Sequence, residues 1–191
     1  MARLHALLPA IHWRNRPGGF EGLSWMIVGQ QVSTASAAAI WSRVQAGLGE
    51  VTPEAAVAAG EEALRGFGLS RPKARYVHGI AAAFVEGRGG LDHLPELDDE
   101  QAIAALTAIV GVGRWTAEVF LMFCEGRADI FPAGDIALQE AARWLDGMER
   151  RPAEAEVRAR AAAWRPHRSA AAHMLWAWYG AVRRGELTRP L

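Results

Sequence analysis

Two reactive side chains are almost missing from this 191-residue sequence, which has one cysteine, Cys124, and one lysine, Lys73. One cysteine excludes an intramolecular disulfide, a multi-cysteine zinc site and a four-cysteine iron–sulfur cluster. One lysine leaves little for an enzyme that attacks its substrate with an amine. The sequence also lacks any apolar run near the roughly 20 residues of a membrane span and the long apolar stretch of a secretory signal. It therefore predicts a cytoplasmic protein without a membrane partner.

Net charge is absent as well, because 21 basic residues balance 21 acidic ones. A neutral protein does not bind nucleic acid through overall charge alone. If DNA is the partner, basic side chains must cluster, or backbone N–H groups must bind the phosphates. The length and the 51% of hydrophobic residues suit one compact domain or two small packed ones.

Helical patterns cover most of the chain, and strand patterns are scarce. Apolar residues recur at helical spacing in segments 76–84, 103–110 and 174–182. Thr52, Ser70 and Asp98 stand where helix N-caps are expected. We therefore predict roughly eight to ten short helices with short connections, which is an all-α fold.

The segment Gly111-Val112-Gly113 joins one predicted helix directly to another. Two glycines allow a tight turn and a close approach of the backbone to another molecule. The start of the second helix offers unpaired N–H groups and the positive end of its dipole, which suits a DNA phosphate. An ordinary helix–turn–helix connection with a glycine C-cap is the alternative.

Four segments, in this order, resemble the helix-hairpin-helix (HhH-GPD) DNA glycosylase superfamily, and most closely its 3-methyladenine DNA glycosylase II branch. They are 25–33 (WMIVGQQVS), 110–118 (VGVGRWTAE), 131–135 (FPAGD) and 164–171 (WRPHRSAA), with Trp176 after them. The resemblance implies an all-α, two-lobed fold with the hairpin at the rim of a cleft. We expect a single unit over 1–191, with lobe one at about 23–130, including hairpin 106–118, and lobe two at about 1–22 plus 131–191. Because few residues precede this region, we expect the extra N-terminal domain that some members carry to be absent.

The resemblance assigns the catalytic role to Asp135. An aspartate that starts a helix is also a natural N-cap, and we expect both roles, because the helix dipole favours an ionised carboxylate. That carboxylate would stabilise the oxocarbenium-like sugar left by the departing base. Many members have a second aspartate just before the catalytic one, where this chain has Gly134. Asp129 lies outside the matching motif and is expected to be a solvated loop acid.

The resemblance also places Trp115 and Trp176 in the pocket for the extruded base, where indole faces suit a cationic N-alkylated purine. Bifunctional members carry their nucleophilic lysine at the position of Trp115, so we expect a monofunctional enzyme. Lys73 is expected to be a solvated helix lysine. A third pocket aromatic of the family is Val119 here. We expect the other tryptophans to pack in the core: Trp13, Trp25, Trp41, Trp144, Trp164 and Trp178.

DNA contacts are implied for the hairpin and for two residues outside it. The hairpin set is Gly111, Val112, Gly113, Arg114 and Thr116. Gln31 matches the residue inserted into the gap left by the flipped base, and it could equally be a plain helix-end residue. Arg168 is expected to bind phosphate or to form an internal salt bridge. We expect no metal site and no cofactor. The sequence does not decide whether a monovalent cation binds at the hairpin.

The function that these residues predict is excision of alkylated purines, of the 3-methyladenine type, from damaged duplex DNA by a monomer. A glycosylase for deaminated bases such as hypoxanthine or uracil is the alternative within enzymes. A non-catalytic helix-hairpin-helix DNA-binding module is the alternative outside enzymes, and Asp135 with the paired tryptophans argues against it. An all-α scaffold unrelated to DNA would require the four ordered motifs to coincide by chance.

Overall fold

The computed structural model describes residues 1–8, 11, 13–89 and 91–188. Within them the chain forms ten α-helices and no β-strand, which confirms the all-α prediction. The helices are α1 (Ala2–Leu7), α2 (Gly19–Gly29), α3 (Thr34–Leu48), α4 (Pro53–Gly66), α5 (Arg71–Val85), α6 (Asp99–Thr107), α7 (Arg114–Phe123), α8 (Ile136–Leu145), α9 (Glu154–Ala161) and α10 (Arg168–Arg183). Short 3-10 helices occupy Leu94–Glu96 and Ala162–Trp164.

The predicted caps begin their helices. The Thr52 hydroxyl accepts a hydrogen bond from the Ala55 N–H, and Asp98 forms a reciprocal capping box with Gln101 at the start of α6. Ser70 precedes α5 as predicted, although its hydroxyl does not cap that helix. Each side-chain cap stabilises its helix by about 1 kcal/mol. Local sequence therefore sets where these helices begin.

The chain divides into two compact units. The hairpin unit, Arg16–Glu125, contains α2 to α7, and the aspartate unit, Met1–Asn15 with Gly126–Leu191, contains α1 and α8 to α10. In the hairpin unit α2 packs against α3, α5 and α7, and seven of its residues are buried. In the aspartate unit α10 packs against α1 and α8. No helix in the described part of the chain has the length and apolar character to cross a membrane.

The core prediction holds for three of the six tryptophans to which it applied. Trp41, Trp144 and Trp178 are buried, and the Trp144 ring meets Trp178 edge-on. Trp25 and Trp164 are half-buried. Trp13 is 61% exposed, so its placement in the core was wrong. Its ring lies 5.0 Å from that of His173, on the surface of the aspartate unit.

Candidate functional site

Asp135 stands at the N-cap of α8. Its Oδ1 accepts hydrogen bonds from the Leu138 N–H at 3.0 Å and from Trp176 Nε1 at 3.1 Å. The first contact satisfies an N-terminal donor of the helix, and the second fixes the carboxylate against an indole ring. The structure thus confirms the capping role and brings together two residues that lie 41 positions apart.

Gly134, where the resemblance implies a second aspartate, lies against another carboxylate. A Cβ built on Gly134 would stand 3.1 Å from Oε2 of Glu154, the first residue of α9. Glu154 is itself paired with Arg158 at 2.6 Å. Any side chain at 134 would crowd this carboxylate, and an aspartate there would add like-charge repulsion. Glycine at 134 therefore matches its own surroundings in this chain.

The ring of Trp176, on α10, has a cation on it. The Arg14 guanidinium carbon lies 5.0 Å from the ring centroid, within the range of a cation–π attraction. The His173 ring meets Trp176 edge-on, with centroids 5.9 Å apart. The aromatic surface assigned to an alkylated base is therefore already in contact with positive charge.

His173 holds the Arg14 segment to α10. Its Nδ1 lies 2.8 Å from the Ser169 carbonyl oxygen, which can only accept, so Nδ1 carries the proton. Nε2 then accepts the Arg14 N–H at 3.4 Å. Burial lowers the pKa of His173, and the charge of Arg14 acts in the same direction. Both contacts agree with a neutral imidazole.

Asp129 is not the solvated loop acid that the sequence predicted. Its two carboxylate oxygens accept hydrogen bonds from Nε and Nη2 of Arg168 at 2.8 and 3.0 Å. Burial acts to raise the pKa of Asp129, but the hydrogen bonds and charge of Arg168 outweigh it and leave the pKa below its usual value. Of the two roles expected for Arg168, the structure therefore shows the internal salt bridge, and its phosphate role stays a prediction.

Ser169, beside Arg168, is a residue that sequence reasoning gave no role. Its hydroxyl donates to the Arg127 carbonyl at 2.6 Å and accepts the Ile130 N–H at 3.1 Å. Arg168 and Ser169 thus fix the loop that leads into Phe131 and Asp135. The signal was the adjacent Arg-Ser pair at the start of α10, but its partners lie about 40 residues earlier.

In the hairpin unit, the two hairpin glycines differ in what they need. Gly111 has φ +92°, and a Cβ on it would lie 2.5 Å from the Tyr76 ring. Gly113 is exposed, caps α7 in an extended conformation, and would meet nothing within 4 Å. Gly111 is therefore required by the fold, whereas Gly113 leaves an open approach to the first N–H groups of α7.

Two residues of the hairpin set, Val112 and Thr116, are buried. Val112 is 5% exposed and its N–H donates to the Ile109 carbonyl. Thr116 is 3% exposed, and its hydroxyl accepts Gln30 Nε2 at 3.0 Å. Because both residues are buried as a whole, a contact of Val112 or Thr116 with DNA stays a prediction.

Arg114, the first residue of α7, is held by two carboxylates. Its Nη2 lies 2.7 Å from Glu100 on α6, and its Nε lies 3.0 Å from the buried Glu118 one turn later. The hydrogen bond to Glu100 is the largest influence that raises the pKa of Arg114. Arg114 therefore links the two helices of the hairpin, and a phosphate contact by its side chain stays a prediction.

Lys73 and Gln31 lie in the hairpin unit. The Lys73 Nζ donates to the carbonyls of Val28 and Gln30, so the prediction of a solvated lysine was wrong. Burial lowers its pKa. Gln31 is exposed and has a left-handed backbone at φ +54°. Trp115 is half-buried as the second residue of α7.

Two cavities are prominent, one in each unit. The larger, about 590 Å³, lies between α5 and the end of α6 in the hairpin unit and contains none of the predicted site residues in its lining. The other, about 390 Å³, is lined in part by Arg14, His173 and Trp176 in the aspartate unit. The second cavity therefore contains one predicted site residue, Trp176, in its lining. Among the described residues, no cluster of His, Cys, Asp or Glu side chains is placed to hold a metal ion.

Known proteins give a consistent match to this chain. Residues 24–166 match the family model described as HhH-GPD superfamily base excision DNA repair protein. DNA-3-methyladenine glycosylase 1 of Schizosaccharomyces pombe is 32% identical over 82% of this chain and 71% of its own length. The putative DNA-3-methyladenine glycosylase YfjP of Bacillus subtilis is 35% identical over 59% of this chain. The matched part covers 39% of the length of that relative. The solved structure of S. pombe Mag1 with abasic DNA superposes with a TM-score of 0.85 at 29% identity, covering 98% of this chain and 93% of that one.

Proposed function

Because this chain belongs to the HhH-GPD superfamily of base excision DNA repair proteins, we propose that it is a monofunctional glycosylase that removes alkylated purines, of the 3-methyladenine type, from duplex DNA. The single observation that carries the proposal is the carboxylate of Asp135, held at a helix start by Leu138 N–H and Trp176 Nε1. A fixed carboxylate can stabilise the sugar cation that develops as a glycosidic bond to a purine breaks.

The reaction begins with a base turned out of the duplex. The bond between sugar C1′ and the purine nitrogen breaks, and its electron pair leaves with the base. Positive charge then develops on the sugar, and the Asp135 carboxylate stabilises it. Water adds to C1′ with loss of a proton, which yields an abasic sugar and a free base. An N-alkylated purine starts with a positive charge and leaves neutral, so this route needs no covalent enzyme intermediate.

DNA binding is assigned to the backbone of the hairpin. Gly113 is exposed and has no side chain to block a phosphate at the start of α7, where a helix N-terminus attracts an anion. Backbone donors add no formal charge, which reconciles DNA binding with a chain of net charge zero. In this proposal the protein acts as a cytoplasmic monomer of 20.7 kDa, and light scattering of the free protein tests its oligomeric state.

Monofunctional chemistry follows from what the chain offers as a nucleophile. Trp115 occupies the position of the lysine in bifunctional relatives, and a tryptophan cannot form a Schiff base. The amine of Lys73, the only lysine in the sequence, donates to two backbone carbonyls. Water is therefore the nucleophile, and the abasic strand stays intact.

The test is release of free bases from methylated duplex DNA, followed by chromatography of the bases and by gel analysis of the strand. We expect free 3-methyladenine or 7-methylguanine, strand breakage only after alkali, and no covalent protein–DNA adduct on borohydride reduction. Lys73→Ala is the matched control for the adduct. An adduct that forms with the wild type and disappears in Lys73→Ala would contradict the monofunctional assignment.

A second candidate substrate class is favoured by the Arg14 guanidinium on the Trp176 ring. A cation already at the indole face repels a cationic base and favours a neutral one, such as hypoxanthine, which arises by deamination. The same assay on duplexes with a single hypoxanthine, uracil or 7-methylguanine separates the two classes.

A further inference from the structure

Lys73 binds the end of α2, one residue before the exposed Gln31. Its Nζ donates to the Val28 carbonyl at 2.8 Å and to the Gln30 carbonyl at 2.6 Å. Helix α2 ends at Gly29, so these oxygens belong to the group that has no partner within the helix. A cation is favourable at a helix C-terminus, where the dipole is negative. The amine therefore caps α2 from the first turn of α5.

The side chain of Gln30 connects the end of α2 to the hairpin. Its Nε2 donates to the Gly111 carbonyl at 3.1 Å and to the Thr116 hydroxyl at 3.0 Å. Both hydrogens of the amide are used, one on the glycine turn and one on the first turn of α7. Through its backbone oxygen and its side chain, Gln30 thus joins α5, the end of α2 and the hairpin.

Gln31 follows this junction and differs from its neighbours in conformation. It is the one non-glycine residue with a positive φ in the described part of the chain, and its side chain is exposed. A left-handed backbone is strained for a residue with a Cβ and persists only where the surroundings fix it. On one side Gln30 is anchored as above, and on the other Ser33 caps α3 through the Ser36 N–H.

We propose that Lys73 and Gln30 form a brace that holds Gln31 in its strained, outward conformation and couples it to the phosphate-binding hairpin. This inference rests on the proposed function, because it assumes that Gln31 enters the DNA. Lys73 is then a positioning residue. Its ammonium group binds backbone carbonyls inside the protein and not a phosphate.

Salt dependence separates this role from direct DNA binding. A lysine that contacts a phosphate contributes about 1 to the slope of log affinity against log salt concentration. A brace contributes nothing to that slope. Lys73→Met keeps the apolar stem and removes the charge and the donors. Arg71→Met removes an exposed cation from the same turn of α5 and is the matched control.

The experiment uses the full chain and a duplex with 2-aminopurine beside a tetrahydrofuran abasic analogue, so no base release is needed. We expect Lys73→Met to speed amide hydrogen exchange in residues 28–33 at least tenfold, to reduce the fluorescence rise caused by unstacking several-fold, and to leave the salt slope unchanged. Arg71→Met should not change exchange in this segment. In a Gln31→Ala background, Lys73→Met should cause no further loss of fluorescence, because the residue that it positions is gone.

Other outcomes overturn the brace. Unchanged exchange in 28–33, a salt slope lowered by about 1, or a full additional loss in the Gln31→Ala background would each contradict it. If Lys73→Met does not fold, Gln30→Ala is the second test of the brace, because it removes only the bonds to Gly111 and Thr116. Its loss of fluorescence should likewise disappear in the Gln31→Ala background. A wild-type protein that unstacks the reporter but releases no alkylated base contradicts the proposed function and leaves the brace standing.

Discussion

The indole N–H of Trp176 donates to the Oδ1 of Asp135 over 3.1 Å, and the same oxygen caps α8 through the Leu138 N–H. Two donors from different helices therefore orient one carboxylate. The helix N-terminus stabilises its negative charge, and the indole fixes its direction. In the proposed reaction the position of this oxygen relative to sugar C1′ decides how well the developing cation is stabilised.

Trp176→Phe tests this orientation, because phenylalanine keeps an aromatic face and removes the N–H donor. A hydrogen bond to a charged group is worth about 1.5–3 kcal/mol, so we expect single-turnover base release to slow on the order of tenfold or more. Lesion affinity should change much less. Trp178→Phe, on the buried face of the same helix, controls for a general loss of packing. An unchanged rate in Trp176→Phe would show that the indole N–H does not act on Asp135.

The hairpin glycines give a second prediction, since the structure separates a folding role from a binding role. Gly113→Ala should fold with a stability loss under about 1 kcal/mol, because a Cβ there meets nothing within 4 Å. It should weaken binding to damaged and undamaged duplex alike, by several-fold to tenfold, because phosphate contacts are blind to sequence. Fluorescence anisotropy with both duplexes measures this.

Gly111→Ala is the comparison for that variant. Its Cβ would face the Tyr76 ring at 2.5 Å on a backbone with φ +92°. We expect a loss of roughly 1–3 kcal/mol in unfolding free energy. Normal DNA affinity in a folded Gly113→Ala would remove the start of α7 from the DNA interface.

Arg14 gives a third prediction, on the choice between base classes. Replacing it by glutamine removes the cation 5.0 Å from the Trp176 centroid. The ratio of excision rates for cationic 7-methylguanine over neutral hypoxanthine should then rise several-fold, because a cation–π contact at a partly exposed site is worth about 0.5–1 kcal/mol. Arg16→Gln is the matched control, because Arg16 lies over Trp25 in the hairpin unit. A ratio that is constant or moves toward hypoxanthine would exclude Arg14 from this selection.

What the sequence could predict depended on distance along the chain. The caps at Thr52, Asp98 and Asp135 follow from residues within one turn, so local spacing was enough to place them. Of the six tryptophans expected in the core, Trp41, Trp144 and Trp178 are buried, whereas Trp13 is exposed. Burial depends on what packs over a residue, and the N-terminal segment had no periodic pattern from which this could be predicted.

The errors at the candidate site involved contacts between distant segments. Asp129 pairs with Arg168 across 39 positions, and Lys73 reaches carbonyls more than 40 positions earlier. Backbone carbonyls are present at every residue, so no side-chain motif marks them as partners of a lysine. Gln30 lies in the motif at 25–33, but its bond to Gly111 across 81 positions could be found only in three dimensions.

The most direct test of the central claim is single-turnover release of 7-methylguanine by Asp135→Asn. Asparagine is as good an N-cap as aspartate, so the variant should stay folded and bind the lesion duplex with nearly normal affinity. It lacks the negative charge that stabilises the sugar cation, and removing one such group commonly costs on the order of 100-fold to 1,000-fold or more in rate. The account predicts lesion binding without base release. Release near the wild-type rate by the purified variant would contradict it.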